Sequence, residues 1–233
     1  MPGAMTKTLV ICGYGSGISQ AVAERFGAAG FRLALVARNK EKLAEAVKTL
    51  KSKKIKARAF RADLSNPKAV RGIVARVQKA FGPIAAIHWN PYGQGAGDLL
   101  TADKKELDGQ LDLAVASLLA AVQTALPDLK EQKGAVLVTN GGLGVVDPTV
   151  DATGVTIKAS GLAIANAAKH KLVALLAHQL RADGIYVGEV MVLSIVKGTA
   201  WDQGSATLEA STVAAKFWEL HEARDKTFVE VAG

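Results

Sequence analysis

The residues with the clearest chemistry in this chain of 233 are glycines and one arginine near its start. Lys7-Thr8-Leu9-Val10-Ile11-Cys12 is an apolar, β-branched run that passes directly into Gly13-Tyr14-Gly15-Ser16-Gly17-Ile18 and then into a helical pattern reaching Ala28. Glycines let a backbone approach a pyrophosphate closely, and amide N–H groups together with the positive end of a helix meet its charge. A glycine turn with a strand before it and a helix after it is the context a dinucleotide fingerprint requires. The second apolar run, Phe31-Arg32-Leu33-Ala34-Leu35-Val36-Ala37-Arg38, ends where such folds discriminate their cofactors. An acidic residue there hydrogen bonds a ribose 2′-OH, whereas an arginine pairs with a 2′-phosphate. Ala37-Arg38 offers a guanidinium and no repelling carboxylate, so the expectation is NADP(H) in preference to NAD(H).

The elements that must position these groups alternate along the whole chain. Lys40 to Lys53 reads as a helix from its Leu43, Ala46, Val47, Leu50 stripe, and Lys56 to Asp63 as a strand. Pro67 to Phe81 is a helix and Ile84 to Asn90 a strand. A long helix from Asp103 to Gln132 carries Leu107, Leu111, Val115, Leu118, Val122 and Leu126 at helical spacing. Ala135 to Asn140 is a strand, Ile157 to Arg181 a helix and Tyr186 to Leu193 a strand. Leu208 to His221 and Thr227 to Ala232 complete the series. Strands alternating with helices require an α/β, three-layer, doubly wound Rossmann fold, with a parallel sheet of about seven strands, helices on both faces and ligands at the carboxyl edge.

Composition bounds the rest. A chain that is 49% hydrophobic, with no linker, repeat or low-complexity segment, is expected to form a single domain over 1–233. Cys12 is the single cysteine, which excludes an intrachain disulfide and suits a reducing, cytoplasmic setting. Asp112 and Gln123 interrupt the longest apolar stretch, so no membrane partner is expected. Met1 to Met5 reads as partly an expression scar. The net charge of +8 raises nucleic acid as a partner, but the densest run, Lys51, Lys53, Lys54, Lys56 and Arg58, lies at a helix end where lysines complement the dipole. No aromatic is interleaved with it, so no base-stacking platform is visible and no nucleic-acid partner is expected. His88 reads as buried in its strand. His170 and His178 share a helix with no cysteine or carboxylate at metal-ligand spacing, so no metal site is expected.

The order of these motifs resembles the short-chain dehydrogenase/reductase family over essentially the whole chain. The matching pieces are the Gly13 to Ile18 turn, Ala37-Arg38-Asn39, Ala62-Asp63-Leu64 and Trp89-Asn90-Pro91-Tyr92, each following a strand. The resemblance implies that Asp63 and Leu64 flank the adenine, that Asn90 lies by the cofactor ribose, that Lys158 hydrogen bonds the nicotinamide ribose and that Ile195 lies near the carboxamide. It also implies a small-molecule substrate, covered by Val196 to Leu208, and a homodimer or homotetramer. Association would run through the long helix at Leu111 to Leu126 and the small-residue helix Ala159 to Ala177, with Leu118, Leu119 and Leu162 as contacts.

The departures from the family pattern are as specific as the matches. The third glycine of the turn is Ser19, expected to loosen the fit; the family's serine falls at Gly141, its tyrosine at Gly154, its helix asparagine at Ala114 and its Pro-Gly pair at Val192-Leu193. Hydride transfer to a carbonyl leaves an alkoxide that needs a proton, and loss of a positioned acid costs roughly 10² to 10⁴ in rate. Tyr92, which should sit at the mouth of the nicotinamide pocket, is one candidate donor; Asp147, Asp151, Thr153 and Thr156 are others, although Tyr92 also reads as a wall and the aspartates as turn residues. Two functions remain open: an NADP(H)-dependent oxidoreductase with a non-standard site, acting on a polarised double bond or on a substrate that supplies its own proton, and an NADP(H)-binding sensor or partner subunit without turnover.

Overall fold

The computed structural model describes residues 7–233, so the reading of Met1 to Met5 lies outside the described residues. The strands are β1 (Thr8–Cys12), β2 (Arg32–Ala37), β3 (Ala57–Arg61), β4 (Ile84–Trp89), β5 (Ala135–Gly141), β6 (Tyr186–Val192) and β7 (Phe228–Val231). They pair in parallel as one sheet in the order β3-β2-β1-β4-β5-β6-β7. The order reverses between β1 and β4, and such a switch point opens a crevice at the carboxyl ends of the strands.

Helices α1 (Ile18–Ala28), α2 (Lys40–Ser52) and α8 (Ala210–Ala223) lie on one side, and α3 (Pro67–Phe81), α5 (Ser117–Glu131) and α7 (Ser160–Leu180) on the other. Period-two alternation feeds both layers from each strand. In β1, Val10 and Cys12 enter the core under α3 and α5, while Leu9 and Ile11 enter the core under α1 and α8. Local signals start several helices. Asn39 accepts from Lys42 N–H, Asn66 caps α3 ahead of Pro67, and Asp103 with Glu106 forms a reciprocal capping box. Lys51, Lys53, Lys54, Lys56 and Arg58 are exposed, and Lys53 pairs with Glu24 of α1 at 2.7 Å.

Three expectations are corrected. The long helix is not uniform: α4 (Lys104–Leu111) joins α5 through a π-helical turn, Asp112–Ala116, which contains Ala114. The helix expected from Ile157 starts at Ser160, and an unexpected helix, α6 (Pro148–Thr156), precedes it under an Asp147 cap. Lys158 therefore sits in the turn between α6 and α7 with φ 53°. Leu118, named as an association contact, is fully buried inside the core; Leu119 and Leu162 are half-buried.

Candidate active site

The glycine turn crosses the end of β2, where Gly13 and Tyr14 both donate N–H to Val36 O, at 3.0 and 2.9 Å. Its three glycines have different reasons to be glycine. Gly13 has φ +79° and is pressed against the β4 loop, so a Cβ would lie 2.6 Å from Pro91 N. Gly17 has φ +88°, and a Cβ there would lie 2.8 Å from Thr199 Cγ2. Gly15 faces open space, since a Cβ there would meet nothing within 4 Å. That gap adjoins the N-terminus of α1, whose first turn holds no acidic residue. Backbone donors with a helix dipole behind them and room in front suit a phosphate group.

Ser19 does the reverse of what its substitution for glycine suggests. It is buried, its hydroxyl accepts from Gly15 N–H at 2.9 Å, and it stands 3.2 Å from Gly13 O and 3.1 Å from Gly15 O. The hydroxyl fastens the turn from inside instead of loosening it.

Around the turn, Asn90 anchors β4 to β1, with N–H to Cys12 O at 3.0 Å and Nδ2 to Gly13 O at 3.3 Å. Arg38 is exposed just beyond β2, and its carbonyl accepts from Arg61 Nε at 3.1 Å. A second guanidinium thus stands beside Arg38, one that the sequence reading did not single out. Asp63 folds into a local turn, accepting from Ser65 N–H and Oγ–H; these bonds, with a smaller contribution from Arg38, hold its carboxyl below the usual range. Leu64 is buried in the core beneath that rim. Burial pushes Tyr14 up to about 12 and the fully buried Cys12 thiol up to about 12.

Beyond β6, Val196–Leu208 closes on itself through a Val196–Leu208 bridge. Asp202 caps it by accepting from the amides of Gly198, Gly204 and Ala206, which lowers its pKa. Ser16 Oγ donates to Gly198 O at 3.2 Å, so this strap rests on the glycine turn. Trp201 of the strap stands 6.0 Å from the Tyr92 ring, and both rings are partly exposed. The sequence reading credited this segment with no distinctive chemistry, although Trp201 was its visible signal. Ile195 and Leu193 are also about half exposed here.

The catalytic candidates separate. Lys158 is exposed and off the helix, with its backbone against Gly97. Gly154 is buried in α6, and Asp147, Thr153 and Thr156 bond to nearby backbone. Four α7 residues, Leu162, Ala165, Asn166 and Lys169, instead line a narrow pocket with Pro91, Tyr92 and Gly93. Asn166 lies over the end of β5, since a Cβ on Gly141 would be 2.9 Å from its Nδ2. The sequence reading named Leu162 only as an association contact and did not single out Ala165, Asn166 or Lys169.

A polar cluster lies behind that pocket. Glu189 of β6 is fully buried; its Oε1 accepts from Asn140 Nδ2 at 3.0 Å and is 3.0 Å from His170 Nδ1. His170 therefore has a carboxylate partner, one that its helix alone did not disclose. Lys169 is 3% exposed, and burial lowers its pKa to about 8 against a weaker upward pull from Glu189. His88 is buried as expected, bonded to Thr139 Oγ1 at 3.1 Å, and burial drives it down to about 3.

An uncharacterized oxidoreductase of Staphylococcus aureus (strain MW2) is 29% identical over 148 residues, 63% of this chain and 63% of that protein's own length. Among solved structures, L-sorbose reductase from Gluconobacter frateurii, complexed with NADPH and L-sorbose, superposes with a TM-score of 0.83 at 21% identity, covering 99% of this chain and 97% of that one. A metagenomic short-chain oxidoreductase in complex with NADP gives a TM-score of 0.77 at 22% identity, covering 97% and 96%. The family model for short chain dehydrogenase matches residues 7–205, from the start of β1 into the strap after β6. The chain belongs to the short-chain dehydrogenase family.

Proposed function

We propose that this protein is an NADP(H)-dependent oxidoreductase with a non-standard active site. The carrying observation is the open space over Gly15 at the N-terminus of α1, with Arg38 exposed one strand away. The residues present fit a dinucleotide: the turn and α1 would hold the pyrophosphate, and Arg38 with Arg61 the 2′-phosphate. Asp63, Leu64, Asn90 and Ile195 would frame the adenine, ribose and carboxamide, with Lys158 the ribose anchor expected from sequence. When bound, the cofactor supplies or accepts a hydride at the nicotinamide. Structural relatives solved in complex with NADP or NADPH support the choice of cofactor.

The non-standard character rests on two registers that agree in one respect. Counting from Lys158 puts the family's tyrosine at Gly154 and its serine at Gly141. Taking the α7 face that lines the pocket puts a four-residue pair at Leu162 and Asn166. Neither register supplies a tyrosine beside a lysine, so ordinary ketone reduction by that acid is not available here. The test is a titration of purified protein with NADPH and NADH, following cofactor fluorescence. NADPH-selective binding is expected, and Arg38→Ala should weaken NADPH about 10- to 100-fold, the loss of a charge-assisted hydrogen-bonded pair, while leaving NADH unchanged. Binding of neither cofactor would overturn the reading.

A further inference from the structure

We propose that the substrate of this site is an uncharged molecule with a flat aromatic body, recognised by Tyr92 and Trp201. The proposal rests on the cofactor reading above and adds the chemistry of the second ligand. Of the twelve exposed large apolar side chains among the described residues, nine stand in the segments that follow β4, β5 and β6 at the carboxyl edge of the sheet. The others are Ile164 and Leu175 of α7 and Phe228 of β7. Apolar side chains gathered at the sheet edge where open α/β folds bind ligands mark a ligand surface.

The three segments adjoin. After β4 come Tyr92, Leu99 and Leu100, and a Cβ on Gly97 of this loop would lie 2.5 Å from Lys158 O, next in sequence to Ile157. In the segment after β5, which also exposes Val146 and Val155, a Cβ on Gly142 would lie 2.9 Å from Cδ2 of Leu193, the residue that follows β6. Trp201 completes the circuit, its ring 6.0 Å from that of Tyr92 and inclined to it by 42°. Two stacking distances sum to about 7 Å, so a third ring does not fit between them and the pair forms one aromatic wall. Tyr92 is 45% exposed and Trp201 38%, which leaves ring area open to a ligand.

The polar groups of these segments are largely engaged already. Asp98 accepts from Leu100 N–H, Asp147 from the amides of Thr149 and Val150, and Asp202 from amides within the strap. Asp103 is held in its capping box, and Lys197 is paired with Glu209. The hydroxyls of Thr153, Thr156 and Thr199 donate to backbone carbonyls of their own segments, and that of Ser194 accepts from Gly233 N–H. Lys158 is assigned to the cofactor ribose, and Asp151 lies in the first turn of α6, where a carboxylate complements the helix dipole. An anionic substrate would meet no unused cation here, and a sugar would meet hydroxyls that already serve the backbone. Apolar area and ring faces are the chemistry left open.

The test uses the full chain saturated with NADP+, which is dark and cannot reduce the probe, its binding confirmed by calorimetry. The probe is prodan, a neutral naphthyl ketone whose emission shifts to the blue in apolar surroundings. Saturable binding with a blue shift is expected, and neither hexanoate nor sorbitol should displace the dye. Trp201→Ala should weaken prodan about tenfold or more, and Tyr92→Leu serves should that variant not fold. Leu175→Ala, which removes an exposed leucine away from this edge, should leave binding unchanged. No saturable binding with NADP+ bound, or binding weakened by Leu175→Ala and not by the ring variants, overturns the proposal. So does an oligomer, seen by sedimentation, that Leu100→Ser dissociates, since the apolar edge would then be covered by a second copy. Absence of NADP+ binding removes the cofactor reading as well and is a separate result from NADP+ binding without prodan.

Discussion

Replacing Lys169 with methionine should make the protein more stable at neutral pH, and the gain should fade as the pH rises. Lys169 is 3% exposed, and its pKa falls from 10.5 to about 8 on folding. A shift of that size, at 1.36 kcal/mol per unit, corresponds to about 3 kcal/mol. The sign follows from proton counting. Between about pH 8 and 10.5 the unfolded chain holds a proton on this lysine that the folded chain has lost, so stability rises with pH across that window. Below pH 8 the penalty is present in full; above 10.5 it has gone. Lys169→Met keeps an unbranched apolar stem and removes the penalty, although Glu189 loses its nearby cation, which offsets part of the gain. The net expectation at pH 7 is about 1 to 3 kcal/mol of added stability, falling towards zero near pH 10.5. Urea denaturation of wild type and variant at pH 7 and pH 10 measures it, and taking the difference cancels the other lysines. A variant less stable by the same amount at both pH values would refute the reasoning, because Lys169 would then be a well-compensated charge.

Acid should unfold the protein early. His88 and His221 are driven by burial to about 3 and about 4, so each loses stability as pH falls below 6.5, and His88 alone accounts for about 4 to 5 kcal/mol by pH 3; His88→Leu should move the acid midpoint downward, and an unmoved midpoint would count against the buried neutral ring. Two glycine substitutions should part company. Gly13→Ala, at positive φ and 2.6 Å from Pro91 N, should cost about 2 kcal/mol or more in thermal or urea melts. Gly15→Ala, facing open space, should fold normally yet weaken NADPH about tenfold by filling the phosphate approach. The Cys12 thiol, 1% exposed and pushed up to about 12, should resist a disulfide reagent in the native protein and react at once in urea.

The sheet and most helices were readable because their signals are local. Apolar runs such as Ile84 to Trp89 and stripes such as Leu43 to Leu50 carry their own period, and Asn66-Pro67 marks a helix start in two residues. Helix α6 hid because Thr149, Thr153, Gly154 and Thr156 give it neither propensity nor an apolar stripe, although Asp147-Pro148 was a legible cap taken for a turn. Of the site, the glycine turn was legible for the same local reason. Lys169 was not: flanked by Lys171 and His178 on its helix, it reads as one more solvated charge. Burial came from packing against α4 and the loop after β4, which no window of sequence contains. One clue was present in Glu189, a carboxylate inside an otherwise apolar β6, where an isolated charge requires partners from elsewhere. Leu118 misled in the opposite way, because a leucine on a helix stripe does not disclose which neighbour it faces.

The Ser19 latch has a thermodynamic consequence. With Gly15 N–H and the carbonyls of Gly13 and Gly15 already gathered around one buried hydroxyl, the turn's backbone freedom is lost at folding and not at association. The strap from Val196 to Leu208, by contrast, meets that turn through the Ser16 hydroxyl and the packing of Thr199 on Gly17, and is otherwise held by its own local caps. A dinucleotide should dock its phosphate end against a preset mould with little entropic loss.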